Sequence, residues 1–233
     1  MSRVLVLGGT GWVGSAVVRA LQEAGEDVGF TWHENAALSD ALPGHAWKID
    51  LTTRDAVPAL FRRMDKDGWT PDSLVCAVGL RARGPGEAAE PWESALDRAV
   101  ALLLRTPIAA CRELAARPTD APVRNVVLLG ALDRTQSFPI APHLAAAQGG
   151  LTAAAMALGH ELGPRGFRVN VVALGLLDGG AAEDVSTEQR DAYKRFSALR
   201  RVGTAAETAA TAVWLVRENR VLNGKVLAAN GGI

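Results

Sequence analysis

Gly8, Gly11 and Gly14 recur at a spacing of three, directly after the apolar run Val4-Leu5-Val6-Leu7. Glycine tolerates sharp turns and lets backbone approach another group closely. A helical pattern over residues 16–21 follows and stops near Gly25. Strand, glycine turn and helix in that order gather free N–H groups and the positive end of a helix dipole at one point, an arrangement suited to a pyrophosphate. The chemistry implied is dinucleotide binding, with Gly8, Thr10, Gly11, Trp12, Val13 and Gly14 as the phosphate loop.

Such a loop must be carried by a sheet. Apolar runs at 27–32, 47–52, 73–79, 125–129, 168–173 and 225–228 read as six further strands, with the acidic Asp50 near the end of the run at 47–52. Helical spacing falls at 36–42, 53–64, 92–116, 144–162, 189–200 and 205–217, with Pro107 expected to kink the long stretch at 92–116. Residues 81–91, 135–142 and 176–187, rich in Gly, Pro or Ala, read as loops. Strands and helices alternate. The expected fold is therefore α/β, a single Rossmann-type doubly wound domain over residues 1–233, with a seven-stranded parallel sheet and helices on both faces.

Composition removes several classes of function. Across 233 residues, 25 basic and 25 acidic side chains cancel, so nothing favours nucleic acid or an anionic membrane as partner. No apolar run is long enough to span a bilayer, and the first strand begins too early to leave room for a signal peptide, so a cytoplasmic setting is expected. The two cysteines, Cys76 and Cys111, have neither metal-ligand nor disulfide spacing and read as small buried residues. No metal is expected.

Further motifs appear in a fixed order. They are Asp50-Leu51-Thr52, then Ala146-Ala147-Gln148-Gly149-Gly150-Leu151, then Glu161-Leu162-Gly163-Pro164-Arg165-Gly166-Phe167-Arg168-Val169-Asn170. Arg201-Val202-Gly203-Thr204, Asn223-Gly224-Lys225-Val226-Leu227 and Asn230-Gly231-Gly232 close the series. On these residues the whole chain resembles the short-chain dehydrogenase/reductase superfamily, and within it the 3-oxoacyl-acyl-carrier-protein reductases.

The resemblance implies a tetrad of asparagine, serine, tyrosine and lysine, and this chain lacks it. Ala99 stands at the asparagine, Ala131 at the serine, Leu144 at the tyrosine and Gln148 at the lysine. Ketone reduction needs a proton donor for the developing alkoxide, and leucine and alanine have none to give. The lone tyrosine, Tyr193, falls in a lid-like helical region. At the nicotinamide end Cys76-Ala77-Val78-Gly79 replaces Asn-Asn-Ala-Gly, and Leu174-Gly175-Leu176-Leu177-Asp178-Gly179 lacks the family's proline and threonine. Trp12 replaces a glycine, and the Gly8, Gly11, Gly14 spacing is similar to that of the extended and atypical branches.

At the adenosine end the resemblance assigns Asp50 and Leu51 to the adenine, while Ala77, Val78 and Gly79 at the nicotinamide end are its other cofactor-binding residues. No acidic residue ends strand two, and His33 and Asn35 lean towards the 2′-phosphate of NADP. Candidates for a replacement chemistry are His143 beside the vacated tyrosine position, the Asp133-Arg134 pair, Ser137, Asp178 and, least of all, His160. The old pocket is expected to be apolar, formed by Ala131, Leu144 and Leu174 with Cys76 nearby, and able to take an apolar small molecule.

Three functions follow as expectations. The first is a non-reducing pseudo-reductase or scaffold, in metabolism of polyketide or fatty-acid type. It would be a homodimer or homotetramer, partnered by an active reductase paralogue or an acyl carrier protein. Alanines 145, 146, 147, 153, 154 and 155 would permit close contact between helices of neighbouring copies. The second is an enzyme of non-redox chemistry, such as dehydration, cyclisation or isomerisation. The third is an NADP-dependent reductase that works without a tyrosine donor.

Overall fold

The computed structural model describes residues 1–80, 90–131, 140–183 and 185–233. Seven strands form one sheet in the order β3-β2-β1-β4-β5-β6-β7, and every neighbouring pair is parallel. They are β1 Arg3–Leu7, β2 Asp27–Trp32, β3 His45–Lys48, β4 Ser73–Cys76, β5 Arg124–Gly130, β6 Phe167–Leu174 and β7 Val226–Ala229. The helices are α1 Trp12–Glu23, α2 Ala36–Ala41, α3 Ala56–Lys66, α4 Trp92–Val100, α5 Thr106–Ala116, α6 Pro142–Leu162, α7 Thr187–Phe196 and α8 Ala205–Glu218.

Helices cover both faces, as the alternating pattern requires. Leu60, Phe61, Leu114 and Leu158 from α3, α5 and α6 pack on one face. Val17, Leu21, Ala212 and Leu215 from α1 and α8 pack on the other. Strands sealed on both sides need no polar alternation, which is why β1 and β4 read as unbroken apolar runs. From β1 the chain first winds towards β3 and then returns to β4 on the other side of β1. That reversal opens a crevice beyond the carboxyl ends of β1 and β4.

Several boundaries move for physical reasons. The third strand ends at Lys48 rather than running through Asp50, because the Asp50 carboxylate accepts from the Thr52 N–H at 2.8 Å and the Thr52 hydroxyl at 2.6 Å, which draws the chain into a turn. The kink expected at Pro107 takes the form of a π turn, Ala101–Arg105, between α4 and α5. Proline has no N–H to continue an α-helical ladder, and the wider turn absorbs the gap. Helix α7 starts at Thr187, where Ser186 and Gln189 form a capping box, and stops at Phe196, where Ser197 turns extended. Cys76 and Cys111 are buried, and burial pushes both thiols up to about 12. Of the six α6 alanines expected at a helix contact, Ala147 and Ala155 point into the core instead. Most of the loop expected at 81–91 and of that at 135–142 lies outside the described residues. Among those described, no helix is long and apolar enough to cross a membrane.

Candidate functional site

The glycine turn is built tightly against its neighbours. Gly8 adopts a φ of +80°, and its N–H donates to Thr31 Oγ1 at 2.9 Å, while Gly9 N–H donates to the Thr31 carbonyl at 2.8 Å. Strand β2 thus fixes the turn. A Cβ on Gly9 would lie 2.6 Å from Phe30 Cβ, and one on Gly14 would lie 2.0 Å from the Gly8 carbonyl oxygen. Only glycine lets α1 start this close to the turn. No side chain caps α1, and Ser15 N–H is the one that reaches back to the Gly11 carbonyl. The N–H groups of Trp12, Val13 and Gly14 therefore have no helical acceptor of their own, and this uncapped cradle fits a diphosphate. Thr10 stands half-buried beside it.

At the other end of the crevice, Leu51 is buried and its carbonyl accepts from Thr106 Oγ1 at 3.1 Å, while the Thr52 carbonyl accepts from Arg105. Arg105 of the π turn and Thr106 at the start of α5 thereby hold the 50–52 turn in place. The Thr52 hydroxyl, then the Thr52 N–H, keeps the Asp50 carboxyl below its ordinary value, with a smaller contribution from His33. His33 is exposed, 3.8 Å from Glu34. Asn35 is spent on capping α2, accepting from Leu38 N–H at 3.0 Å. Lys48 was not singled out in the sequence. It pairs across the strands with Trp32 and holds its ammonium 5.0 Å from the Trp32 ring centre, which places a cation at this end of the crevice.

On the side of the glycine turn away from the 50–52 turn, over the ends of β4, β5 and β6, lies a cavity of about 500 Å³. Val13 and Trp12 border it at the glycine turn, Ala77, Val78 and Gly79 follow β4, and Gly130 and Ala131 end β5. Leu144 and Gln148 face it from α6, and Leu174 from the end of β6. The expected apolar wall of Ala131, Leu144 and Leu174 is thus brought together, whereas Cys76 is buried in the sheet core instead. Ala99 is fully buried beside it in a small cluster with Leu103, Ala147 and Leu144.

Not every candidate reaches this cavity. His143 is half-buried and Asp178 exposed, and neither is in the described wall. The Asp178 carboxylate accepts from Trp12 Nε1 at 3.4 Å. His160 is exposed on the last turn of α6. Asp133, Arg134 and Ser137 lie outside the described residues. Tyr193 does reach the cavity from α7, is buried, and donates its hydroxyl to the Asn230 carbonyl at 2.7 Å. Sequence spacing did not signal this contact, because it joins segments 37 residues apart. Among the described residues no three His, Cys, Asp or Glu side chains gather as metal ligands.

Comparison with known proteins agrees with this architecture. A family profile described as Enoyl-(Acyl carrier protein) reductase matches residues 11–233. The "Cyclic-di-GMP-binding biofilm dispersal mediator protein" of Escherichia coli strain K12 is 31% identical over 218 residues, covering 91% of this chain and 88% of that protein. A 3-oxoacyl-[acyl-carrier-protein] reductase of Chlamydia muridarum is 24% identical over 242 residues, covering 98% and 96%. The crystal structure of BdcA in complex with NADPH superimposes with a TM-score of 0.82 at 26% identity, covering 99% of this chain and 93% of that one. With a family match that begins in the glycine turn and runs to residue 233, the chain belongs to the short-chain dehydrogenase/reductase superfamily.

Proposed function

We propose that this protein is a non-reducing member of its superfamily, a ligand-binding pseudo-reductase that keeps the dinucleotide crevice without the ketoreductase tetrad. The observation that carries this reading is the contact between Gln148 and Ala131, in which Gln148 Oε1 accepts from the Ala131 N–H at 3.1 Å. Two positions that the family resemblance gives to lysine and serine are here joined by a neutral hydrogen bond. Leu144 at the tyrosine position adds only apolar surface to the same wall. Ala99, at the asparagine position, is sealed in the core. The Tyr193 hydroxyl, the one O–H in the described wall, is engaged with Asn230.

The relative solved with NADPH supports NADP as the dinucleotide. Trp12, Val13 and Gly14 would hold its diphosphate by their N–H groups, Asp50 and Leu51 its adenine, and His33 and Lys48 the 2′-phosphate. Bound NADPH supplies a hydride donor, and this chain provides no tetrad proton to accompany it. Non-redox chemistry by His143 or Asp178 is not favoured, since both stand outside that wall. Assembly as a homodimer or homotetramer is part of the reading. Trp92 on α4 and Met156 on α6 are 67% and 57% exposed, apolar surface of the kind a second copy, a reductase paralogue or a carrier protein would cover.

The test is to titrate the protein with NADPH and with NADH, and then to offer acetoacetyl thioester and a panel of ketones. Saturable NADPH binding without cofactor oxidation is expected. Steady NADPH oxidation coupled to ketone reduction would overturn the reading.

A further inference from the structure

Gln148 is 92% buried by its 8% exposure, yet it lies in the wall of the cavity. Its carboxamide orientation is fixed by chemistry. A backbone N–H must face an oxygen, so Oε1 is the atom turned to Ala131 N at 3.1 Å, and Nε2 points away from it across the planar amide. The oxygen is seated against the bare Cα of Gly130, where a Cβ would come within 2.9 Å of it. Nε2 has no hydrogen-bond partner among the described residues and is not sealed from the cavity.

The other side-chain donors of the described wall are engaged. Trp12 Nε1 donates to Asp178, Tyr193 Oη to the Asn230 carbonyl, and Asn230 Nδ2 to the Ile233 carbonyl at 3.1 Å. Around them the wall is aliphatic or glycine, and no charged side chain belongs to it. A neutral donor in a cavity of about 500 Å³ whose described wall is otherwise apolar or engaged is a recognition element. It favours a ligand that presents an acceptor there, because an apolar ligand that excluded water from Nε2 would leave it unpaired. Among the described residues of the wall no charged side chain stands ready to pair with a charged group beside Gln148.

We propose that Gln148 Nε2–H is the hydrogen-bond donor by which this cavity selects uncharged, apolar carbonyl compounds, gripping the carbonyl oxygen without reducing it. The inference rests on the non-reducing reading of the site and adds the class of molecule bound. Gln148 is a binding residue here, and Ala131 N–H is what orients it.

The probes are 2-acetylnaphthalene and 2-isopropenylnaphthalene, which share one shape while only the first has an acceptor oxygen. Calorimetric titration of the full-length protein is expected to show the ketone binding about fivefold more tightly, the yield of one neutral hydrogen bond. Gln148→Met should bring the ratio to about one while leaving alkene binding intact. Because that variant also strips Ala131 N–H of its acceptor and can fail to fold, a second measurement uses wild-type protein alone. The infrared carbonyl stretch of bound 2-acetylnaphthalene should lie below its position in hexane. Equal binding of the two probes, a ketone preference that survives in Gln148→Met, a carbonyl stretch as in hexane, or no binding of either probe would each overturn the proposal. Cofactor oxidation during the ketone titration, with the preference intact, would instead overturn the non-reducing reading and leave the selection by Gln148 standing.

Discussion

The Trp12 indole N–H reaches Asp178 Oδ1 at 3.4 Å and so ties the glycine turn after β1 to the loop after β6, 166 residues away in sequence. The ring lies on bare backbone. A Cβ on Gly179 would come within 2.6 Å of Trp12 Cε2, and one on Gly180, at a φ of +67°, within 2.7 Å of Trp12 Cβ. The steric fit therefore outweighs the long, exposed hydrogen bond. Gly180→Ala is expected to cost about 1–3 kcal/mol by strain at a left-handed position. Asp178→Ala is expected to cost under about 1 kcal/mol, as loss of a weak hydrogen bond. Urea midpoints of both variants check the order, and a larger loss in Asp178→Ala would show that the hydrogen bond dominates.

A second outcome concerns the phosphate cradle. Gly14→Ala places a methyl group 2.0 Å from the Gly8 carbonyl oxygen, which is backbone and cannot rotate away. The turn and α1 must separate. Loss of NADPH binding by at least about tenfold is expected where the fold survives. Gly25→Ala is the control, since a Cβ there meets nothing within 4 Å, although its φ of +83° carries strain of its own. Calorimetry with NADPH separates the two, and equal affinity in Gly14→Ala would remove the glycine turn from the binding site.

The architecture was legible because its signals are local. Unbroken apolar strands, glycine turns and helical spacing gave seven parallel strands and the helices between them, each within a few residues. The asparagines of the late motifs were legible only as a pattern. Their physical reason is three-dimensional: Asn223 Oδ1 accepts from Val169 N–H at 2.9 Å while Nδ2 donates to the Gly159 carbonyl at 2.8 Å. Asn170 Nδ2 likewise donates to the Leu222 carbonyl while its Oδ1 accepts from Lys225 N–H. The apolar character of the cavity was also readable, from Ala131, Leu144 and Leu174. Its second side was not. Tyr193 and Asn230 meet across 37 residues through an α7 whose seating depends on Ser197 Oγ donating to the Gly231 carbonyl, and no periodicity encodes such a meeting. His143, drawn to the pocket by its place in sequence, is separated from it by one helical step, for Leu144 faces the cavity and its neighbour does not.

Buried asparagines give a stability test. Asn125 Nδ2 donates to the Val216 carbonyl at 2.9 Å, and Asn125 Oδ1 accepts from Asn219 Nδ2 at 3.1 Å, which locks β5 to the end of α8. Asn125→Leu takes the amide donor from the Val216 carbonyl, while Asn219 Nδ2 keeps its bond to the Leu222 carbonyl at 2.9 Å, so a loss of about 1–3 kcal/mol is expected from one desolvated group. An unchanged urea midpoint would show that water replaces the missing amide.

Acid sensitivity should enter through α8. Glu207 closes the capping box with Thr204, and Arg201 beside it brings the Glu207 carboxyl from 4.5 down to about 2. A carboxyl lowered in the folded state stabilises above its unfolded value and loses that contribution as the pH falls through the folded one. Wild type should thus be more stable than Glu207→Gln above pH 4.5, with the gap closing between 4.5 and about 2. Thermal midpoints of the two proteins across that range decide it, and a constant gap would mean that Glu207 acts through its hydrogen bonds alone, without its charge.

The non-reducing reading makes a constructive demand. If the four substituted positions alone separate this chain from a ketoreductase, refilling them should restore the chemistry. Leu144 lines a cavity of about 500 Å³, so a tyrosine ring has room, and Ala131→Ser adds one oxygen at the end of β5. Gln148→Lys is the costly change, since an ammonium enters an apolar wall and its pKa is driven down until a bound dinucleotide supplies acceptors. Leu144→Tyr alone should therefore stay inactive, because an unassisted phenol remains a poor acid. The combined Ala99→Asn, Ala131→Ser, Leu144→Tyr and Gln148→Lys variant is expected to reduce acetoacetyl thioester with NADPH about 10²–10⁴-fold faster than wild type. NADPH oxidation followed by product identification measures it. A folded, NADPH-binding quadruple variant that remains inert would place the block elsewhere in the crevice, with Trp12 and the loop after β6 first to be examined.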